Sequence, residues 1–201
     1  MTTLITGAKG YLASNIKKRL PGDVVEYFGD VRTFRDYTGI NKIIHFASPS
    51  ERAEFCDTEK TVTTIINGTL NMIDLANKNN AKLIFASTMG VYEASVDDAY
   101  ASCKLAAEFM IQNSCNSYGI LRIPRVYSPC RNKGLMKQLK SGSVNENDKS
   151  KKIQFITLEQ FLDQTINVIE SINDIYEYNQ TIERTIGEIE TWITHPDTYI
   201  L

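Results

Sequence analysis

Imidazoles and paired thiols are scarce in this chain. It has two histidines, His45 and His195, and four cysteines, Cys56, Cys103, Cys115 and Cys130, with no C-x-x-C pair among them. That scarcity argues against a metal site and against a disulfide framework, so the thiols are expected to be reduced. An excess of one charge is lacking too. Lys plus Arg is 22 against 24 for Asp plus Glu, a formal charge of -2, too little positive charge for nonspecific grip on a nucleic-acid backbone. No apolar run reaches membrane-spanning length, Lys82-Leu83-Ile84-Phe85-Ala86 being strand-sized. The opening Met1-Thr2-Thr3-Leu4-Ile5 carries no basic leader, so no signal peptide is expected and the chain reads as cytoplasmic. What is present is ordinary globular composition, 42% hydrophobic and 23% charged over 201 residues, the size of one large domain or a domain with a small lobe.

Strand-like and helix-like segments alternate from the first residue. Thr3-Leu4-Ile5-Thr6 reads as a strand, followed by a glycine turn and a helix to about Leu20, stopped by Pro21-Gly22. Val24 to Phe28 and Lys42 to Ala47 are further strands. A helix from about Glu59 to Lys78 shows Val62, Ile65, Ile66, Leu70, Ile73 and Ala76 as an inward stripe. Ala81 to Ser87 is a buried strand, Ser102 to about Cys115 a helix with Leu105, Ala106, Phe109 and Met110 inward, and Gly119 to Ile123 a strand. Such alternation predicts an α/β fold, a doubly wound parallel sheet covered on both faces.

After Pro129 the polar run Ser141 to Lys152 reads as a surface loop. Thr157-Leu158-Glu159-Gln160 and Thr185-Ile186-Gly187-Glu188 have capping-box form, each opening a helix, the second with Ile189, Trp192 and Ile193 on its apolar face. The predicted division is a dinucleotide-binding domain over 1–130 and a small C-terminal lobe over 131–201.

Gly7, Gly10 and Ala13 form G-x-x-G-x-x-A between the first strand and first helix. Small residues there let the backbone approach a pyrophosphate seated on unpaired helix N–H groups. Glycines at such a turn also serve packing alone. Asp30, 20 residues after Gly10, is spaced to hold a ribose hydroxyl, whereas Arg32 and Arg35 could meet a 2′-phosphate. NAD and NADP both stay open, with a lean to NAD. Tyr100 and Lys104 lie four apart, on one helix face. A phenol, with a reference pKa of about 10, is too weakly acidic to act as a base at neutral pH, and an adjacent ammonium favours its phenolate.

In order and spacing, the segments Thr6 to Ala13, Gly29 to Arg32, His45 to Ser48, Asn67 to Asn71, Ser87 to Tyr92, Tyr100 to Lys104 and Leu121 to Pro129 resemble the extended short-chain dehydrogenase/reductases, the NAD-dependent epimerase/dehydratase family. The resemblance implies a Rossmann-type sheet with a reduced substrate lobe and hydride transfer between NAD(P) and a nucleotide-linked sugar. It implies Thr88, Tyr100 and Lys104 as catalytic residues. Cofactor contacts are implied from Gly7, Lys9, Gly10, Tyr11, Leu12, Asp30, Val31, Arg32, Phe46, Ala47, Ser48, Ala86 and Ser87, together with Tyr100 and Lys104. Substrate contacts are implied from Ser48, Thr88, Met89, Arg125 and Arg131. It also implies a homodimer built on the Glu59–Lys78 and Ser102–Cys115 helices.

The chain departs from the family pattern in places. The acidic pair that dehydratases carry after the catalytic threonine is Met89-Gly90 here, which disfavours 4,6-dehydration and leaves 4-epimerase or 4-keto reductase. The helix asparagine falls at Ile65. The asparagine of the family's L-R-x-x-N-V-Y-G-P motif is Arg125, free to bind an anion or to pair with an internal acid. Only seven residues separate Tyr92 from Tyr100, and the stretch from Phe28 to Lys42 is short, as if a strand-helix unit were lost. The alternative function is a dinucleotide-binding sensor or interaction module with little catalysis.

Overall fold

Short runs rich in β-branched and aromatic residues form the strands: β1 (Thr2–Thr6), β2 (Asp23–Tyr27), β3 (Lys42–His45), β4 (Lys82–Thr88), β5 (Tyr118–Ile123), β6 (Arg125–Tyr127), β7 (Lys152–Thr157), β8 (Ile175–Glu177) and β9 (Ile182–Thr185). Between them run α1 (Tyr11–Ile16), α2 (Arg52–Phe55), α3 (Thr58–Asn79), α4 (Ala99–Ser114), α5 (Gly134–Lys140), α6 (Leu158–Val168) and α7 (Ile186–Thr194). The computed structural model describes residues 1–34, 36–50 and 52–194. Arg35 and His195, both singled out in the sequence, lie outside the described residues.

The described chain divides into two compact units. One is Met1–Ile123 with Leu162–Tyr178, and the other is Pro124–Phe161 with the described residues from Asn179 onward. This corrects the predicted boundary at 130. Leu162–Tyr178 returns to the first unit because β8 pairs with β5, Ile120 opposite Ile175.

The first unit holds a six-stranded, all-parallel sheet in the order β2-β1-β3-β4-β5-β8. The order reverses between β1 and β3, the place where doubly wound sheets open a crevice beyond their strand ends. β2 is an edge strand. In place of a further strand, an aromatic trio packs on it, Tyr27 with Phe34 at 4.6 Å between ring centroids and Phe34 with Tyr37 at 5.5 Å. The core beneath is fully buried, with Leu4, Ile43, Ile65, Met72, Leu83, Phe85, Ala107, Ile111 and Ile120 at its centre. Each large side chain there contributes about 1.5–3 kcal/mol by leaving water.

Both long helices depart from the predicted faces. On α3 the buried residues are Thr61, Ile65, Gly68, Thr69, Met72, Ile73, Leu75 and Ala76, while Val62 and Leu70 are exposed. On α4, Leu105, Ala106 and Phe109 face outward and Met110 is half-buried. The inward face carries Ala101, Cys103, Lys104, Ala107, Glu108 and Ile111. The apolar periodicity misleads here because two charged residues, compensated by partners on distant strands, take the core positions. α4 also starts earlier than predicted, at Ala99, because the Asp98 carboxylate caps it by accepting the Ala101 N–H at 3.0 Å.

The second unit is built on β6-β7-β9, with β7 parallel to β6 and antiparallel to β9, a sheet the sequence did not suggest. Its core is Tyr127, Met136, Leu139, Phe155, Ile186 and Ile189, with Trp192 stacked on Tyr127 at 4.3 Å. Both predicted capping boxes form. Thr157 Oγ1 accepts the Gln160 N–H while Gln160 Oε1 accepts the Thr157 N–H, at 3.1 and 2.8 Å. Thr185 and Glu188 make the same exchange at 3.2 and 2.7 Å. Among the described residues no helix is long and apolar enough to cross a membrane.

Candidate active site

The strands of the first unit run parallel, so the turns after β1 and β3 and the end of β4 share one edge of the sheet. Thr6 is in register with His45 and His45 with Phe85. Gly7 therefore meets the Phe46-Ala47 backbone at that edge. Its φ is +68°, and a Cβ there would lie 2.7 Å from the Ala47 nitrogen. Only glycine satisfies both conditions. The Gly10 N–H closes the turn on the Gly7 carbonyl at 2.7 Å. Gly10 caps α1 without a side-chain hydrogen bond of its own. A cradle that a Cβ would fill, beside a helix start whose capping residue has no side chain, fits a dinucleotide diphosphate. Lys9 belongs to this turn, exposed with its amine 5.2 Å over the Phe28 ring, and Tyr11 and Leu12 open α1.

Asp30 and Arg32 occupy the turn after β2, the expected ribose position, and engage each other. The guanidinium donates from Nε at 2.9 Å and Nη2 at 2.6 Å, and the Arg32 backbone N–H adds a third bond at 2.9 Å. These bonds hold the Asp30 carboxyl below the usual carboxylate range. Val31 is buried against Gly68 of α3, where a Cβ would lie 2.8 Å from Val31 Cγ2. Asn71 of the same helix donates to the Val31 carbonyl at 2.7 Å. The Asn67-Gly68-Thr69-Leu70-Asn71 motif thus positions the Asp30–Arg32 turn. Ile65 is 1% exposed and lies in the core cluster.

Ser48 is half-buried, its hydroxyl donating to the Pro49 carbonyl at 3.2 Å. Ala47 N–H donates to Thr6 Oγ1 at 3.3 Å, and the same hydroxyl pairs with His45 Nδ1 at 2.7 Å. Burial lowers His45 to about 3, with Lys104 adding to the shift.

Thr88 closes β4. Its Oγ1 accepts the Gly90 N–H at 3.1 Å, which leaves its own O–H proton to donate outward. Met89 and Gly90 follow in a turn of 3-10 helix. Tyr100 sits in the first turn of α4, half-buried, with the Phe55 ring of α2 stacked on it at 4.4 Å and 18°. One helical turn on, Lys104 is 2% exposed. Its Nζ donates to the Ala86 carbonyl at 2.7 Å and lies 4.5 Å from the Phe85 ring centroid and 5.8 Å from that of Tyr100. Burial lowers Lys104 to about 7, opposed by the charge of Glu108.

Sequence reading did not find Glu108, Arg122, Tyr92, Glu177 or Phe55. The Ser87 hydroxyl donates to the buried Glu108 carboxylate. Arg122 of β5 grips that carboxylate through Nη2 at 2.7 Å and reaches Tyr92 Oη at 2.7 Å and Glu177 at 3.1 Å. A charged residue at a core position of an otherwise apolar helix face was the signal available for Glu108. Arg122 follows a strand residue within Leu121-Arg122, and nothing local marks it.

Arg125 and Arg131 belong to the second unit. Arg125 is exposed on β6 and makes no ion pair among the described residues. Arg131 donates to the Val126 carbonyl at 3.2 Å. Among the described residues no group of three or more His, Cys, Asp or Glu side chains converges as a metal site.

A family model described as the NAD dependent epimerase/dehydratase family matches residues 29–163; the glycine turn precedes the matched span. Among solved structures, the chain is similar to a Thermus thermophilus UDP-glucose 4-epimerase in complex with NAD, at 18% identity and TM-score 0.78, covering 100% of this chain and 84% of that one. It is similar to DesIV, a dTDP-glucose 4,6-dehydratase double mutant from Streptomyces venezuelae with NAD and DAU bound, at 17% identity and TM-score 0.79, covering 96% and 80%. RMD from Pseudomonas aeruginosa complexed with NADPH matches at 16% identity and TM-score 0.75, covering 100% and 85%. At these identities the likeness establishes the fold. No curated protein matches the sequence.

Proposed function

The chain belongs to the NAD dependent epimerase/dehydratase family, and from that premise we propose that it is an NAD(P)-dependent 4-epimerase or 4-keto reductase acting on a nucleotide-linked sugar. One observation carries the reading. Tyr100 and Lys104 occupy one face of α4, and the Lys104 amine is anchored to Ala86, two residues before Thr88 at the end of β4. NAD or NADPH accompanies the similar structures named above, and the Gly7–Gly10 cradle fits such a dinucleotide. When bound, the dinucleotide supplies the hydride acceptor and donor.

The residues of the chain handle the protons. Tyr100 takes a proton from a sugar hydroxyl at its Oη and returns it, acting as general base and then acid. The Lys104 ammonium, held near the ring, favours the phenolate. Thr88, its oxygen already accepting from Gly90, donates to the sugar oxygen and orients it. Gly7, Lys9, Gly10, Tyr11 and Leu12 hold the diphosphate, Asp30, Val31 and Arg32 the adenosine ribose, and Phe46, Ala47, Ser48, Ala86 and Ser87 line the rest of the cofactor path. Met89 joins Ser48 and Thr88 at the substrate. It carries no acid or base and is followed by Gly90, which argues against 4,6-dehydration. Arg125 and Arg131 are the candidates for the substrate's phosphates.

The exposed Val62, Leu70, Leu105 and Phe109 of α3 and α4 support a homodimer formed with a second copy on this face. The Phe55 ring stacked on Tyr100 favours a second reading, a dinucleotide-binding module in which one face of that ring is closed to substrate.

The test is turnover with NAD(P) and a panel of UDP-, GDP- and dTDP-sugars. Interconversion of 4-epimers or cofactor-dependent 4-keto reduction, abolished in Tyr100→Phe, is expected. Tight dinucleotide binding with no turnover on the whole panel establishes the module instead.

A further inference from the structure

The proposed chemistry leaves a buried carboxylate unused. Glu108 follows Lys104 by one helical turn on the inward face of α4, is 1% exposed, and is the only buried carboxylate among the described residues. It cannot swing away. Arg122 Nε lies 3.2 Å from both of its oxygens and Nη2 2.7 Å from Oε2, while the Ser87 hydroxyl donates to Oε1. Arg122 turns its other nitrogen to Glu177 of β8 at 3.1 Å. Lys104, Glu108, Arg122 and Glu177 therefore alternate in sign from the catalytic face of the sheet to its far edge.

A lysine amine that donates to a single carbonyl, that of Ala86, loses most of its hydration on burial. A nearby fixed anion offsets that loss. We propose that Glu108 is a positioning residue for the Tyr100–Lys104 pair: its carboxylate, fixed by Arg122 and Ser87, keeps the buried Lys104 amine protonated and directed along the face it shares with Tyr100.

The other groups around Lys104 do not take this role. From β3 comes His45, which is neutral at ordinary pH because burial holds it to about 3. From β4 come the Phe85 ring and the Ala86 carbonyl. The inward residues of α3 are Thr61, Ile65, Gly68, Thr69, Met72, Ile73, Leu75 and Ala76, none ionisable. From β5 comes Arg122, a cation of the wrong sign, spent on Glu108. On α4 itself, Tyr100 and Glu108 remain. Burial presses Lys104 down to about 7, and Glu108 is the group that opposes it.

The consequence for turnover rests on the reading of Tyr100 and Lys104 as the reacting pair; the charge state of Lys104 does not. The experiment is therefore made on the full chain without ligand. Lysines labelled with 13C at Cε are titrated by NMR over about pH 5 to 10, and Lys104→Met identifies the resonance. Glu108→Gln is expected to move the Lys104 midpoint down by about one pH unit or more, and Glu108→Asp to restore most of it. An unmoved midpoint in a folded Glu108→Gln protein overturns the inference. Should that variant not fold, Arg122→Gln removes the competing cation and is expected to move the midpoint upward; a midpoint that stays or falls overturns it equally. In active enzyme, the alkaline limb of kcat/KM is expected to follow the midpoint. A shifted midpoint in a protein without turnover upholds the role of Glu108 and sinks the catalytic reading alone.

Discussion

The amine of Lys104 donates to the carbonyl of Ala86 at 2.7 Å, pinning the inward face of α4 to the end of β4. Folding takes this cation out of water, and its proton affinity falls from 10.5 to about 7. The unfolded chain holds that proton up to about 10.5 and the folded chain only to about 7, so stability rises with pH across that window and the full cost is present below it. Lys104→Met is expected to stabilise the fold at neutral pH by about 1–4 kcal/mol, measured by urea denaturation. Turnover is expected to fall at least about 100-fold. Destabilisation by this substitution would mean that the Ala86 bond outweighs the burial cost.

His45 acts in the same direction at lower pH. It is wholly buried, its Nδ1 bonded to Thr6 and its Nε2 without a partner among the described residues. Burial lowers it from 6.5 to about 3. The unfolded chain takes up a proton below about 6.5 that the folded chain refuses until about 3, so stability is complete above the upper value and is lost as pH falls through the window. Thermal melts from about pH 7 to 4 should show a falling Tm, and His45→Gln should flatten the slope. An unchanged slope assigns the acid sensitivity to carboxylates.

Gly7 and Gly10 carry different constraints within one turn. Gly7 has φ +68° and stands 2.7 Å from the Ala47 nitrogen at the Cβ position, whereas Gly10 has φ -68° and would place a Cβ 3.0 Å from the Gly7 carbonyl oxygen. Gly7→Ala is expected to cost about 2–4 kcal/mol and Gly10→Ala clearly less, while both weaken dinucleotide binding. Chemical denaturation and fluorescence titration with NADH read the two effects separately. Equal stability losses would contradict the close approach seen at Gly7.

Leu105 is 43% and Phe109 67% exposed on α4, beside Val62 at 37% and Leu70 at 49% on α3. A second copy covering this face buries them. Light scattering on the wild-type chain is expected to give the dimer mass, and Leu105→Glu with Phe109→Glu the monomer, with little change in the fold because neither side chain reaches the core. A monomeric wild-type protein rejects this interface.

Much of the first unit was legible in its residues. Runs such as Leu83-Ile84-Phe85-Ala86 have no stable place except inside a covered sheet, and the glycine turn and Tyr100–Lys104 spacing are local patterns readable one residue at a time. Both capping boxes formed as spaced, since their bonds span three residues. Three-residue strands such as β6 and β8 were not legible; they exist through their pairing with β7 and β5, and so little chain carries no pattern of its own.

The linear chain settled strands β1 to β5, helices α1, α3 and α4 to within a few residues, and the caps of α6 and α7, because those preferences act over a few residues. It did not settle which side of α4 turns inward. Leu105 and Phe109 are more apolar than Lys104 and Glu108, and taken alone the helix would bury the first pair. Long-range pairing of β4 with β5 places Ala86, Ser87 and Arg122 beside the second pair. Those partners compensate buried charge that the helix by itself could not hold, and they decide the inward face of α4.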